Sequence, residues 1–285
     1  MSKRARLDRH LHLLGDIKNI MNAMKHLSLM ETQKLTKNIA TLRSVVQSIE
    51  SAIADFLSFF PSVLEGGTSK YELYLLLGSE RGFCGNFNES LIASLNSYTG
   101  DHPEEEYSVI LVGSRLSAKL KDDSRVTVRL NGPGTAEEIE TVLLKLMHSI
   151  TDALNQDTIR EPLRLTVFSH NPDTQRINRI ILQPFKETLP KALHFADPPL
   201  LNEDASTFVT QLADHYLFAV LNELFSSSLL AENLSRLQHM ENAIHYLDQE
   251  GNQLQIKRNR LWQEEITEEI EVILLSDIKR DPDIY

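Results

Sequence analysis

Residues 237–261 read LQHMENAIHYLDQEGNQLQIKRNRL. Within them Leu237, Met240, Ile244, Leu247, Gly251, Leu254, Arg258 and Leu261 step by 3, 4, 3, 4, 3, 4, 3, the a/d spacing of a coiled coil. Between Pro199 and Pro282 the chain has no proline, and Gly251 is its only glycine. That predicts one helix from Phe208 to Ser276, with Ile266, Ile270 and Ile273 carrying an apolar stripe past the seam. At the rise of an α-helix it would run roughly 100 Å, farther than an ordinary domain is wide. A partner helix must cover it.

The other end of the chain supplies a candidate. From Arg4 to Phe60 there is again no proline and one glycine, Gly15, while Leu42, Val46, Ile49, Ile53, Phe56 and Phe60 step by 4, 3, 4, 3, 4. Leu7, Leu11, Leu14, Met21, Met24 and Leu27 begin the stripe less regularly. Two arrangements satisfy the pattern: an antiparallel two-helix rod within one chain, or a parallel coiled-coil dimer.

Punctuation separates the middle from the ends, since nine of ten prolines lie between Pro61 and Pro199 and nine of eleven glycines between Gly66 and Gly134. Tyr71–Leu77, Ser108–Val112 and Arg125–Leu130 read as strands, the last at an edge. Leu163–Ser169 and Ile177–Phe185 read as a hairpin. Helices are predicted at Asn88–Leu95, from Ser114, and at Ala136–Leu154, the last behind a capping box of Thr135 and Glu138, with a polar connection at Ser97–Glu106. The fold class is therefore α plus α/β: a long antiparallel coiled coil and a central Rossmann-like domain with a mainly parallel sheet. The expected divisions are a coil helix over 1–60, the α/β domain over 68–200, a second coil helix over 205–278 and a tail over 279–285.

Composition narrows the function classes. The net charge of −11 argues against general nucleic-acid affinity, yet residues 1–43 hold nine Lys or Arg against Asp8, Asp16 and Glu31. A lone Cys84 excludes an internal disulfide framework and fits a reducing compartment. The opening MSKRARLDRHLHLLGDIKN has no apolar signal core, and no apolar run is long enough for a membrane span.

The loop Gly78–Asn88 follows a strand and precedes a helix, the context of a phosphate cradle. Its glycines, Gly78, Gly82 and Gly85, have neither dinucleotide nor P-loop spacing, and the loop has no lysine. His10 with His12 and His239 with His245 lack the spacing of a helical metal pair. Glu264, Glu265, Glu268, Glu269 and Glu271 read as a solvated or partner-facing band. No active site, cofactor site or metal site is expected.

Over nearly its whole length the chain resembles the gamma subunit of F-type ATP synthases. The resemblance is carried by Ala231, Glu232, Asn233, Arg236, Met240 to Ala243, Asn259, Arg260, Gln263, Ile266, Thr267, Glu269 and Ile270, by Ile20, Ala23 and Met24, and by ERGFCGNFN at 80–88. It implies a rotor shaft inside a ring of alpha and beta subunits, with the α/β domain as a foot against epsilon and the membrane c-ring. ATP chemistry would lie on beta. The resemblance further implies that Met24, Lys25, Arg260, Trp262 and Gln263 face the catalytic hexamer, that Arg236 and Glu241 lie farther down the shaft toward the foot, and that Arg81, Gly82, Cys84 and Gly85 form a foot loop; Gly251, the gap in the seam, is a further shaft position.

It places the protein peripherally on the cytoplasmic face of a bacterial or archaeal inner membrane. Departures are Trp262 for a family arginine, Asn22 and Glu31 for lysines, and the ending SDIKRDPDIY. They fit either a housekeeping subunit or an alternative, sodium-translocating form. Readings from other classes are a non-rotary scaffold and a small-molecule enzyme on the α/β domain. The gap in the seam at Gly251 predicts that leucine there would overpack the rod or shift its register and lower coupled ATPase activity.

Overall fold

The computed structural model describes residues 3–61, 71–102, 106–155, 163–182 and 198–278, so the tail over 279–285 lies outside it, as does the end of the strand expected to reach Phe185. In chain order the elements are α1 (Lys3–Phe59), β1 (Tyr71–Leu77), α2 (Phe87–Asp101), β2 (Glu106–Val112), α3 (Ser114–Lys119), β3 (Val126–Leu130), α4 (Ile139–Asn155), β4 (Leu163–His170), β5 (Ile177–Leu182) and α5 (Ala205–Ile278). Internal contacts divide the chain into two units: Ser28–Leu237, and Met1–Leu27 with Gln238–Tyr285.

The larger unit holds a five-stranded sheet in the order β3-β2-β1-β4-β5, parallel except for the antiparallel β4–β5 hairpin. The run YELYLLL occupies the centre because only a strand covered on both faces can be apolar without alternation. Alternation sorts its side chains. Leu73, Leu75 and Leu77 join Ile139, Val142, Leu143 and Leu146 of α4, with Leu35 and Ile39 of α1 and Leu221, Leu224 and Phe225 of α5. Tyr74 and Leu76 turn the other way, onto Phe87, Leu91 and Leu95 of α2 and Leu116 of α3. A smaller cluster of Ile53, Phe56 and Leu57 with Val209 joins α1 to the start of α5.

Two local expectations are corrected. Helix α2 runs on to Asp101 through the segment read as a polar connection, because Tyr98 is anchored edge-on against Tyr74 and Phe168. The capping box does not form. Thr135 makes no side-chain cap, residues Ala136–Glu138 are a 3-10 turn, and Glu138 accepts the Gly134 N–H instead, at 2.6 Å.

In the smaller unit the two helices run antiparallel. The ion pairs Arg4–Glu265 (3.4 Å), Asp8–Arg258 (3.7 Å), Lys18–Asp248 and Lys25–Glu241 (2.8 Å) step down α5 as they step up α1. Met240 is buried and each other seam position from Leu237 to Leu261 is half-buried.

On α1 the shielded positions include 4, 7, 11, 14, 18, 21, 25 and 28, an unbroken heptad register, with Asn22 and Met24 half-buried beside it. It looks irregular in sequence because Lys18, Lys25 and Ser28 occupy seam positions. Leu27, read as seam, is exposed, and Ser28 takes its place. Ile266, Ile270 and Ile273 are exposed as well.

Candidate functional site

Within the larger unit, the glycine loop is bound to its surroundings at every turn. The Ser79 N–H donates to Asn88 Oδ1 (2.9 Å) and Asn88 Nδ2 donates to Ser79 Oγ (2.8 Å), closing the loop on itself. Phe83 and Gly85 lie in the left-handed region, at φ 62° and 61°. That conformation accounts for glycine at 85 and marks Phe83 as strained. Gly78 answers a different need: a Cβ there would lie 2.4 Å from the Cβ of Leu116.

Helix α5 clamps this loop from the side. Arg236, only 4% exposed, donates from Nε to the Gly82 carbonyl (3.1 Å) and from a terminal nitrogen to Asn233 Oδ1 (2.9 Å), and it pairs with Glu232 one turn earlier. The backbone N–H groups of Arg81 and Glu80 lie toward the Glu232 carboxylate and favour its charged form. Burial pushes the Glu232 carboxyl up, against the pull of Arg236 and those N–H groups. Ser235 adds a hydrogen bond to the Cys84 carbonyl at 2.8 Å.

From the opposite side, Glu80 accepts the N–H and hydroxyl of Ser114 and the N–H of Gly132. The polar groups that might have cradled a phosphate are thus occupied internally. Arg236, expected as a shaft residue, lies on α5 with its guanidinium buried against the Gly82 carbonyl, Asn233 and Glu232.

Cys84 is buried, its thiol donating to Ser79 Oγ at 3.3 Å. Burial pushes that thiol up, so little thiolate exists near neutrality. A thiol-specific reagent at pH 7.5 should therefore label Cys84 slowly in the folded chain and rapidly after denaturation. Equal rates would contradict this packing.

Beside the loop lies an open cleft of about 730 Å³ between the end of β3 and the start of α4, lined by Glu80, Arg81, Arg129, Glu137, Glu138 and Lys145 among others. Its acids are already spoken for, Glu80 and Glu138 by backbone N–H groups and Glu137 by Lys34 (2.6 Å). Arg81 lies against Gly134, where a Cβ would meet its guanidinium at 2.9 Å. Among the described residues no group of three His, Cys, Asp or Glu is placed to hold a metal ion.

Sequence reasoning missed how α1 is fastened to this domain. Glu31 accepts the Ala136 N–H (3.2 Å) and pairs with Lys34, which reaches on to Glu137. The glutamate that departs from the lysine pattern thus serves the start of α4. These partners are more than 100 residues apart in sequence, and no local pattern announces them.

Within the smaller unit, Lys25 and Glu241 are brought together, although they were assigned to different levels of the rod; the pair draws the Glu241 carboxyl below its ordinary value. Met24 is half-buried, while Arg260, Trp262 and Gln263 are exposed. Gly251 is half-buried, but a Cβ there would meet nothing within 4 Å. The expectation that leucine there would overpack the rod or shift its register thus meets open space at the Cβ.

A family model described as ATP synthase matches residues 4–275. An ATP synthase gamma chain of Clostridium botulinum (strain Loch Maree) is 25% identical over 274 residues, covering 92% of this chain and 93% of its own. One from Clostridium beijerinckii is 23% identical, covering 94% and 95%. Among solved structures, a chain of the Euglena gracilis mitochondrial ATP synthase rotor aligns with a TM-score of 0.57 at 17% identity, over 92% of this chain and 98% of that one. A chain from the central stalk and c-ring of the Tetrahymena thermophila enzyme aligns with a TM-score of 0.56 at 16% identity, over 79% and 99%.

Proposed function

We infer from the match over residues 4–275 that this chain, which belongs to the ATP synthase gamma family, is the central-stalk subunit of an F-type ATP synthase. The observation that carries the reading is the antiparallel pairing of α1 with α5, fixed by four interhelical ion pairs. Such a rod has unlike sides. Inside a ring of three alpha and three beta subunits it presents a different face to each beta subunit, and each site acquires its own balance of open and closed states. Rotation moves those preferences around the ring and couples ion flow in the membrane to ATP synthesis or hydrolysis on beta.

The end of α5 supports insertion into such a ring. Ile270, Val272, Ile273, Leu274 and Leu275 are exposed on several sides of a helix end that also carries Glu268, Glu269 and Glu271, and so much exposed apolar surface fits a surrounding partner. Met24, Arg260, Trp262 and Gln263 are the contacts proposed for the catalytic hexamer, with Lys25 acting through its pair with Glu241. The α/β domain, with Arg81 and the clamped loop at 82–85, is the proposed foot toward epsilon and the c-ring.

Catalysis is assigned to beta, and no cofactor is required of this chain. No described helix is long and apolar enough to cross a membrane, so membrane contact comes through partners. The relatives in Clostridium favour the cytoplasmic face of a bacterial inner membrane.

Affinity purification of the tagged chain from its native host tests this. Stoichiometric alpha and beta subunits with nucleotide-hydrolysing activity are expected. Recovery as a monomer, or with coiled-coil partners and no hexamer, would favour the scaffold reading instead.

A further inference from the structure

The space left for a ligand in the α/β domain is set by where α5 meets the sheet. In an open parallel sheet, ligands collect outside the carboxyl ends of the strands. Here the carboxyl end of β1 is taken by the chain itself, since Ser228 of α5 donates to the Leu77 carbonyl (3.2 Å) and Arg236 to that of Gly82. What stays open is the cleft of about 730 Å³ beside the end of β3, within the roughly 300–1,000 Å³ range of small-molecule sites.

Charges in this cleft are unequally committed. Both Glu80 oxygens are used, one by the N–H groups of Ser114 (2.9 Å) and Gly132 (2.7 Å) and the other by the Ser114 hydroxyl (2.6 Å). Glu138 accepts the Gly134 N–H, and Glu137 pairs with Lys34. The cations differ. Among the described residues neither Arg81 nor Lys145 has a side-chain hydrogen bond or ion pair, and Arg129 uses a single nitrogen, on the carbonyls of Leu120, Lys121 and Asp123. Those carbonyls hold its guanidinium in place with the other nitrogens left over. Gly134 makes room for the second guanidinium, because a Cβ there would meet Arg81 Nη2 at 2.9 Å. Leu130 and Val142 add apolar lining.

We propose that this cleft binds a phosphorylated small molecule of nucleotide size, its phosphoryl oxygens taken by Arg81, Arg129 and Lys145 and its carbon body resting on Leu130 and Val142. Cations with unused donors beside committed carboxylates select an anionic ligand rich in oxygen acceptors, and guanidinium forks match phosphoryl groups bidentately. Because Glu137 on the rim also holds Lys34, occupancy bears on how α1 is fastened to the domain. The site goes beyond the shaft reading and does not depend on it.

Calorimetric titration of the purified full-length chain with ATP, pyrophosphate, adenosine and a poly-glutamate peptide tests this. ATP should bind saturably at one site per chain, pyrophosphate more weakly and adenosine not at all. Arg81→Gln and Lys145→Gln should each weaken ATP binding roughly tenfold, the loss of one charge-assisted hydrogen bond. Arg176→Gln, an exposed cation in the β4–β5 turn, should leave it unchanged. Gly134→Ala removes no charge but displaces the Arg81 guanidinium, so it should weaken ATP binding as well, which a general attraction for polyanions would not show. Arg81 and Lys145 are exposed, so their variants should melt like the parent without ligand, and ATP should raise the melting temperature of the parent more than theirs. No saturable binding of ATP or pyrophosphate, or variants that bind like the parent, overturns the proposal. Tighter capture of poly-glutamate than of ATP also overturns it, by making the cleft a docking place for an acidic protein segment.

Discussion

Arg236→Ala will destabilise the chain by about 3–5 kcal/mol, the usual cost of stripping one partner from a buried ion pair. The loss is large because Glu232 would keep its buried carboxylate without a cation, and the Gly82 carbonyl and Asn233 would lose their donor. Burial already pushes Glu232 up, and removing Arg236 removes the main opposing pull.

A carboxyl raised in the folded state binds its proton more tightly there than in the unfolded chain. Its contribution is therefore most favourable below the unfolded value and is lost as pH rises through the folded one. The variant's deficit should be smaller at pH 5 than at pH 8. Adding Glu232→Gln, which removes the charge and keeps the shape, should restore a substantial part of the stability. Urea unfolding of the full chain followed by circular dichroism measures all of this. Strictly additive losses in the double variant, with no pH dependence, would mean the pair is not coupled. Faster labelling of Cys84 in Arg236→Ala would show that the clamp holds the loop, since Ser235 and Arg236 bind its carbonyls side by side.

The second large effect is a gain. Asp8–Arg258 and Lys18–Asp248 bracket Gly15 and Gly251, and the register they set puts the two glycines at the same level of the paired helices. Each is a helix-interior glycine with nothing within 4 Å of an added Cβ. Gly15→Ala with Gly251→Ala should therefore stabilise the helices by about 2 kcal/mol, roughly 1 kcal/mol for each glycine replaced. Gly251→Leu should be accepted there too. Thermal melts of single and double variants would decide it: a fall in melting temperature for either alanine variant would mean that glycine is needed for close approach after all.

The opening given by these two glycines illustrates what was readable in advance. Gly251 in a seam position was visible from spacing, but its surroundings depend on where α1 lies, and that is set by pairs such as Lys18–Asp248, separated by 230 residues. Arg236 is a similar case. Its position on α5 was legible, whereas its role depends on a carbonyl 154 residues earlier in the chain. The irregular start of the α1 stripe has the same origin: lysines at positions 18 and 25 break an apolar pattern, yet they pair across the seam with Asp248 and Glu241.

Periodicity, proline and glycine punctuation, and strand composition are written in neighbouring residues. They were therefore enough to determine two long terminal helices and a mainly parallel-sheet domain between them, while the resemblance to a gamma subunit came from matched residues such as Arg236, Arg260, Gln263 and the loop at 80–88. The helices' antiparallel register, the buried clamp on the glycine loop, the failed capping box and the committed carboxylates of the cleft were decided only by tertiary structure. Each depends on which distant side chain arrives at a given donor, acceptor or gap, and only the folded chain brings those partners together.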